Sequence, residues 1–328
     1  AGAYSVAVFN RAGVTESSNA LLTVILGAFW TQQPQNANVK PGANATFSAQ
    51  ATSGFPIRYQ WRFNGNDVPN ATNTTLQIVN VQSVNAGLYQ LIANDGIVPV
   101  PSAAVTLTLI YDPFFAQQPI SQSVLPGADV TLSVVVSNGA TLPIGYRWRR
   151  AGLVLTNFTL NSYTSYFTVF NAQPAFTNYN VVITNISLQN GRASSPAYIT
   201  FLTDSDANGL PDSWESGYFG AGAVVNPADD PDLDGMSNLQ EYIAGTDPSD
   251  GASYLRMETP SRGPGSGATL SFGAISNRTY TITSSDALGG PWFKLTDVFA
   301  RSNNHVESIF DPTPGTNRFY RVATPRQP

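Results

Sequence analysis

Alternating apolar and polar residues dominate the chain, and the alternation recurs at a long interval. AGAYSVAVFN at residue 1, AGLYQLIAND from Ala86 and FTNYNVVITN from Phe176 each have the pattern of a half-buried strand. Aligning them puts Tyr4, Tyr89 and Tyr179 in register, about 85 and 90 residues apart. Upstream of the second and third tyrosines run IRYQWRFNG, which carries Trp61, and IGYRWRRAG, which carries Trp148. Each of these two units begins with a Pro-Gly turn followed by alternation, KPGANATFSAQA from Lys40 and LPGADVTLSVVV from Leu125. The order turn, strand, Trp strand, Tyr strand, final strand therefore repeats, and core packing is the simplest role for its aromatic residues.

The repeat resembles the immunoglobulin-like sandwich, in which a strand Trp packs in mid-core and a corner Tyr returns a hydrogen bond to the backbone. The resemblance implies complete domains over residues 28–111 and 112–203, and the last two strands of another over residues 1–27. The family's disulfide partners would fall at Ala49 and Leu91, and at Val134 and Val181. All four are apolar, which implies packing in place of a bridge. In the 1–27 unit Tyr4 takes the corner position, while Val6, Val8, Leu22 and Val24 would face a core that has no further strands. Two isolated strands are marginal in water, and an apolar edge invites pairing. This stretch is expected to belong to a longer array, to complete the sheet of a neighbouring domain or an identical subunit by strand addition, or to be an irregular tail.

Charge changes the picture at one place. Residues 204–250 hold 11 of the 21 acidic residues and none of the 16 basic ones, leaving 10 acids against 16 bases elsewhere. Within this segment two stretches fit the 12-residue calcium loop, DSDANGLPDSWE and DPDLDGMSNLQE. The first offers Asp204, Asp206, Asn208, the Leu210 carbonyl, Asp212 and Glu215, with Gly209 at the turn. The second offers Asp230, Asp232, Asp234, the Met236 carbonyl, Asn238 and Glu241, with Gly235 at the turn. A hard cation needs oxygens converging from alternate residues, and the glycine permits the reversal. Two Ca2+ ions are expected. The segment resembles the EF-hand loop, and more closely the thrombospondin type 3 and dockerin-like loops of secreted proteins. YITFLT before Asp204 reads as a strand, and VVNPAD before Asp230 is not a regular helix, so a sensor-like opening is not expected. SNLQEYIAG does read as a helix, with Ser237 and Gln240 as a capping box and Gly245 near its stop.

Residues 251–328 return to short alternating strands separated by Gly, Asn and Pro turns, and predict a small β-sandwich. It resembles the terminal β module that follows such loops in large secreted bacterial proteins. The fold class is thus mainly β: tandem immunoglobulin-like sandwiches, a calcium-loop segment with two short helices, and a C-terminal sandwich. Catalytic chemistry finds little support. His305 is the only histidine, a triad through Asp311 has no marked nucleophile, and the glutamates outside the loops, Glu16, Glu258 and Glu307, are scattered. There is no cysteine and no phosphate loop or zinc spacing. Basic residues stand mostly singly, which disfavours nucleic acid, and no apolar run is long enough to span a membrane. Six Asn-x-Ser/Thr triplets occur, at Asn44, Asn70, Asn73, Asn157, Asn185 and Asn277.

The expectation is a non-catalytic extracellular or cell-surface protein with a structural or adhesive role, part of a surface array or fibre stiffened by calcium. Surface glycans are candidate partners. The alternative is the carbohydrate-binding accessory region of a secreted polysaccharide-degrading enzyme, with Trp292 and Phe293 as a sugar platform. Glycan binding lost on Trp292→Ala would favour that alternative; an edge-strand core role for Trp292 is the reading preferred.

Overall fold

The computed structural model describes residues 1–175, 177–262, 267–301, 303–312 and 318–325. Phe176, first residue of the third tyrosine stretch, lies outside the described residues. The chain divides into two units, Ala1–Tyr111 and Asp112–Pro328. It is mainly β, with two short helices and tandem immunoglobulin-like sandwiches.

The first unit starts with four short strands, β1 (Gly2–Tyr4), β2 (Ala7–Asn10), β3 (Gly13–Glu16) and β4 (Ala20–Leu22). β1 pairs with β4 and β2 with β3, both antiparallel, so together they form one two-stranded ribbon. The sandwich that follows is built from β5 (Phe29–Gln32), β6 (Ala37–Val39), β7 (Ala45–Ser48), β8 (Gln50–Thr52), β9 (Arg58–Phe63), β10 (Asn66–Asp67), β11 (Thr75–Ile78), β12 (Gly87–Asn94), β13 (Val100–Pro101) and β14 (Val105–Leu109). One sheet runs β10–β9–β12–β14–β6, with β13 also on β12; β11–β7 and β5–β8 form the opposing layer. Alternation along β7 and β12 sends Phe47, Tyr89 and Leu91 inward against fully buried Trp61. Both polar aromatic groups are satisfied there. Trp61 Nε1 donates to the Asn73 carbonyl at 3.0 Å, and the Tyr89 hydroxyl to the Asn85 carbonyl at 2.8 Å.

The ribbon joins this sandwich at Asp95. Its Oδ2 accepts from the Ala28 N–H at 2.8 Å and the Ser53 hydroxyl at 2.6 Å, and its Oδ1 from the Ile97 N–H at 3.1 Å. Those donors, Ser53 foremost, hold the carboxyl below its ordinary value.

The second unit repeats the plan with β15 (Phe115–Gln117), β16 (Gln122–Val124), β17 (Val130–Val136), β18 (Ile144–Arg150), β19 (Leu153–Leu160), β20 (Thr164–Val169), β21 (Asn178–Thr184), β22 (Arg192–Ala193) and β23 (Ala197–Phe201). Its sheets are β15–β17–β20 and β16–β23–β21–β18–β19, with β22 on β21. In both sandwiches an early strand runs parallel to the last one, β6 beside β14 and β16 beside β23. Trp148 and Tyr146 are fully buried; Trp148 donates to Ser165 Oγ at 3.1 Å, and burial pushes the Tyr146 hydroxyl up to about 12. Ala49, Leu91, Val134 and Val181, where the family's bridges would fall, all sit inside the two cores.

Two helices follow, α1 (Asp212–Phe219) and α2 (Asn238–Ala244), then β24 (Ser261–Arg262), β25 (Ala268–Ala274), β26 (Tyr280–Ser285), β27 (Phe293–Val298), β28 (His305–Asp311) and β29 (Phe319–Ala323). These last strands form two three-stranded sheets, β24–β25–β28 and β27–β26–β29, closed over Leu270, Phe272, Tyr280 and Ile282. The C-terminal end of α2 is tied to them: Arg278 Nη2 donates to the Tyr242 carbonyl at 2.6 Å, satisfying an orphan acceptor of the last turn.

Two outcomes are expected from this architecture. Trp148→Ala should destabilise the second sandwich by about 3–5 kcal/mol, read as lost amide protection over β17–β21 while β9 and β12 stay protected. Asp95→Ala should raise exchange at the Ala28 amide. In the unsubstituted protein the Asp95 contribution is complete above the ordinary carboxyl value of 3.8 and disappears only as pH falls through the depressed folded value.

Candidate functional site

The ribbon copies the closing strand pair of both sandwiches. Tyr4 stands opposite Ala20, as Tyr89 stands opposite Val105 and Tyr179 opposite Ala197. Two residues after each tyrosine a serine replaces one rung of the ladder. Ser17 Oγ accepts from the Val6 N–H at 3.0 Å while its own N–H returns to the Val6 carbonyl at 2.9 Å. Ser102 does the same with Leu91, and Ser194 with Val181. Each of the three hydroxyls then donates to the carbonyl of the next residue. What differs is cover. Tyr4, Val6 and Leu22 are 58%, 65% and 51% exposed, whereas their counterparts Tyr89, Leu91 and Leu107 are at 3%, 0% and 1%. Val8 and Val24, on the same alternation, are exposed as well. The serine device was not anticipated from sequence; its only signal there is the equal Tyr-to-Ser spacing of the first two repeats.

The two acidic loops lie on either side of Val225 and Asn226. Asn208 Nδ2 donates to the Val225 carbonyl at 3.1 Å and Asn238 Nδ2 to the Asn226 carbonyl at 2.9 Å, so adjacent backbone groups anchor one side chain from each loop. Both turns use glycine with left-handed backbone, Gly209 at φ 92° and Gly235 at φ 95°. Trp214 on α1 meets Tyr242 on α2 edge-on at 6.0 Å, which packs the exit helices together. α2 begins with the Ser237–Gln240 capping box and stops at left-handed Gly245.

In the first loop the side chains hold one another. Asp204 accepts from the Asn208 and Gly209 N–H groups at 3.1 and 2.9 Å. The Asn208 amide is shared between Asp206 at 3.1 Å and Glu215 at 2.9 Å. Asp212 is occupied by the Ser205 hydroxyl and N–H at 2.6 and 2.7 Å, which hold its carboxyl low. Leu210 is fully buried at the loop's midpoint, and Pro211, in extended conformation, is the N-cap of α1.

The second loop is different in kind. One carboxylate oxygen of each of Asp230, Asp232 and Asp234 lies within 4.8 Å of the other two. Gly235, Asp234 and Met236 N–H groups satisfy one oxygen of each. The remaining oxygens, Asp230 Oδ1, Asp232 Oδ2 and Asp234 Oδ2, are buried with no donor, and so are Asn238 Oδ1 and Glu241 Oε2. Asn238 is 2% exposed and Glu241 0%. Burial, then the charges of Asp232 and Asp234, push the Glu241 carboxyl up to about 7 against a weak opposing hydrogen bond from Thr246. Five buried oxygens with no donor are a costly arrangement in a folded protein. Their chemistry, hard oxygen throughout, four from carboxylates and one from an amide, fits Ca2+.

Outside the loops, His305 and Asp311 stand at opposite ends of β28, roughly 20 Å apart along a strand of this length. His305 is bound to Glu307 at 2.9 Å, and Asp311 to Arg318 and Tyr320. The Arg321 guanidinium lies 4.1 Å over the Trp292 ring and takes one of its faces. Among the described residues no helix is long and apolar enough to cross a membrane.

The immunoglobulin-domain family profile matches residues 30–94. Among curated proteins the chain is similar to Neuroglian of Drosophila melanogaster, at 25% identity over 49% of this chain and 13% of that protein. It is also similar to Roundabout homolog 1 of Mus musculus, at 29% identity over 46% of this chain and 10% of that protein. The chain thus spans about a tenth of the length of these relatives. Among solved structures, the I-band fragment I67–I69 from titin aligns over 92% of this chain and 94% of its own, with TM-score 0.45 and 10% identity. Drosophila OTK extracellular domains 3–5 align over 62% and 72%, with TM-score 0.42 and 20% identity.

Because the fully buried Glu241 carboxyl bears the repulsion of Asp232 and Asp234, Glu241→Gln should raise the melting temperature of the protein in chelator at a pH above about 7, where it removes a buried charge. Differential scanning calorimetry checks this; a lower melting temperature in chelator would contradict it.

Proposed function

We propose that this chain is part of a non-catalytic, extracellular structural or adhesive protein at a cell surface, built for serial extension and stiffened by calcium. The observation that carries the reading is the ribbon. It has the register, the corner tyrosine and the serine rung of a sandwich's closing strand pair, yet its core face is bare. A face of that kind is completed by the other strands of an immunoglobulin-like sandwich, whether in a neighbouring domain or an identical subunit. By analogy with β12 against β9, the free edge of the ribbon would receive a strand carrying Tyr-x-Trp, with Val6 opposite the tryptophan as Leu91 is opposite Trp61.

Calcium supplies the second element of the proposal. The second loop would hold one ion through Asp230, Asp232, Asp234, the Met236 carbonyl, Asn238 and Glu241. The first would hold another through Asp204, Asp206, Asn208, the Leu210 carbonyl, Asp212 and Glu215. The ion would satisfy the orphan oxygens and cancel the repulsion between carboxylates. Since Arg278 ties α2 to the C-terminal sandwich, order in the loops passes to that module.

Two tests separate these elements. Removal of residues 1–27 should abolish assembly, seen as loss of large species in light scattering, while the sandwiches remain folded; unchanged assembly would reject the ribbon's role. Chelation should lower the melting temperature, and Asp204→Ala with Asp230→Ala should remove the response to calcium. A melting temperature indifferent to calcium in the unsubstituted protein would reject the ion.

A further inference from the structure

The two sandwiches serve as controls for each other. Alignment of Trp61 with Trp148 makes Gln60 the counterpart of Arg147 and Arg62 the counterpart of Arg149. One strand across, Asp67 faces Arg62 just as Val154 faces Arg149. All of these project from the outer face of their sheet, since the buried tryptophan between them points inward. In the first sandwich the outer face is satisfied. Gln60 Nε2 donates to the Trp61 and Val68 carbonyls at 2.8 and 2.7 Å, and Arg62 Nε pairs with Asp67 at 2.7 Å.

In the second sandwich the acid has become Val154, and the glutamine has become a second arginine. Neither Arg147 nor Arg149 has a side-chain hydrogen bond or ion pair among the described residues, and the Nε of each is shut away from solvent without an acceptor. Residues 112–203 contain only two carboxylates, Asp112 and Asp129, against four arginines. Both are engaged elsewhere, Asp112 by the Ser187 hydroxyl and Asp129 by the Asn171 N–H. Only the Nε of each is sealed in, so the half-buried side chains turn their unpaired Nη groups to solvent, where an anion brought from outside can pair with them. Alternate positions on one strand set the two arginines about 6.5–7 Å apart on one face. Asn157, opposite Arg147 on β19, and Asn180, opposite Arg149 on β21, flank them with amides.

We propose that the outer face of β19–β18–β21 binds an acidic polysaccharide. Arg147 and Arg149 pair with carboxylate or sulfate groups on successive sugars, and Asn157 and Asn180 hydrogen-bond the hydroxyls between them. This names a ligand class for the adhesive role and rests on that reading, but the face shares no residue with the ribbon or the loops, so the tests given for those succeed or fail separately.

The experiment is affinity electrophoresis of the whole chain in gels containing polygalacturonate, dextran sulfate, neutral dextran or polyglutamate. Retardation is expected on one or both acidic polysaccharides, weakening with salt, and not on neutral dextran. The two acidic arms tell carboxylate from sulfate. Arg147→Gln with Arg149→Gln should weaken retention by about tenfold or more. Val154→Asp, an exposed change that restores the acid present in the first sandwich, should weaken it severalfold, and Arg62→Gln should leave it unchanged. Circular dichroism melts establish that each variant is folded. Retention unaffected by Val154→Asp and by the double variant, equal retention on neutral dextran, or retention on polyglutamate alone would overturn the proposal.

Discussion

A sheet with one apolar face must have that face covered, and this requirement organises most of the chain. Twice it is met within the chain itself: Trp61 and Trp148 fill the space between opposing layers, and the positions of the family's bridges are filled by Ala49, Leu91, Val134 and Val181. With no cysteine in the chain, the layers are held together by packing alone. The ribbon presents the same inner face with nothing over it. Its strand geometry is that of a closing strand pair, including a serine hydroxyl in place of a ladder rung, while Tyr4, Val6 and Leu22 on its inner face stand exposed.

The acidic segment follows the polar version of the same rule. Buried oxygens need donors or a cation, and the two loops answer differently. The first closes on its own Asn208 amide, whereas the second gathers oxygens that have nothing to accept from. Both loops hang from the adjacent carbonyls of Val225 and Asn226, and their exit helices meet through Trp214 and Tyr242. The ordering of one loop therefore bears on the other, and through Arg278 on the C-terminal strands.

Much of this was legible in the sequence because its signals are local. The Trp and Tyr repeats mark positions whose only good environment is a core, and the alternate-acid spacing marks oxygens that must converge around a glycine turn. The helix at 238–244 announced itself by its capping box and terminal glycine. What stayed hidden depends on which residues face one another across strands. The anchoring of Ala28 by Asp95, the hold of Arg278 on α2, and the exchange of Asp67 for Val154 opposite an arginine are register facts, and no single window of sequence contains them. The contrast between the loops was hidden for the same reason: both fit one template, and only the packing shows that Asn208 is spent on its neighbours while Asn238 leaves an oxygen free.

The central claim is that the ribbon is a closing strand pair awaiting the rest of its sandwich. Amide hydrogen exchange on the isolated chain, shown to be monomeric by sedimentation, tests it most directly. The account expects the amides of β1–β4 to exchange almost without protection, while the equivalent amides of β12 and β14 exchange slowly. Protection of the ribbon equal to that of β12 in a monomer would mean that it is stable uncovered, and would contradict the account.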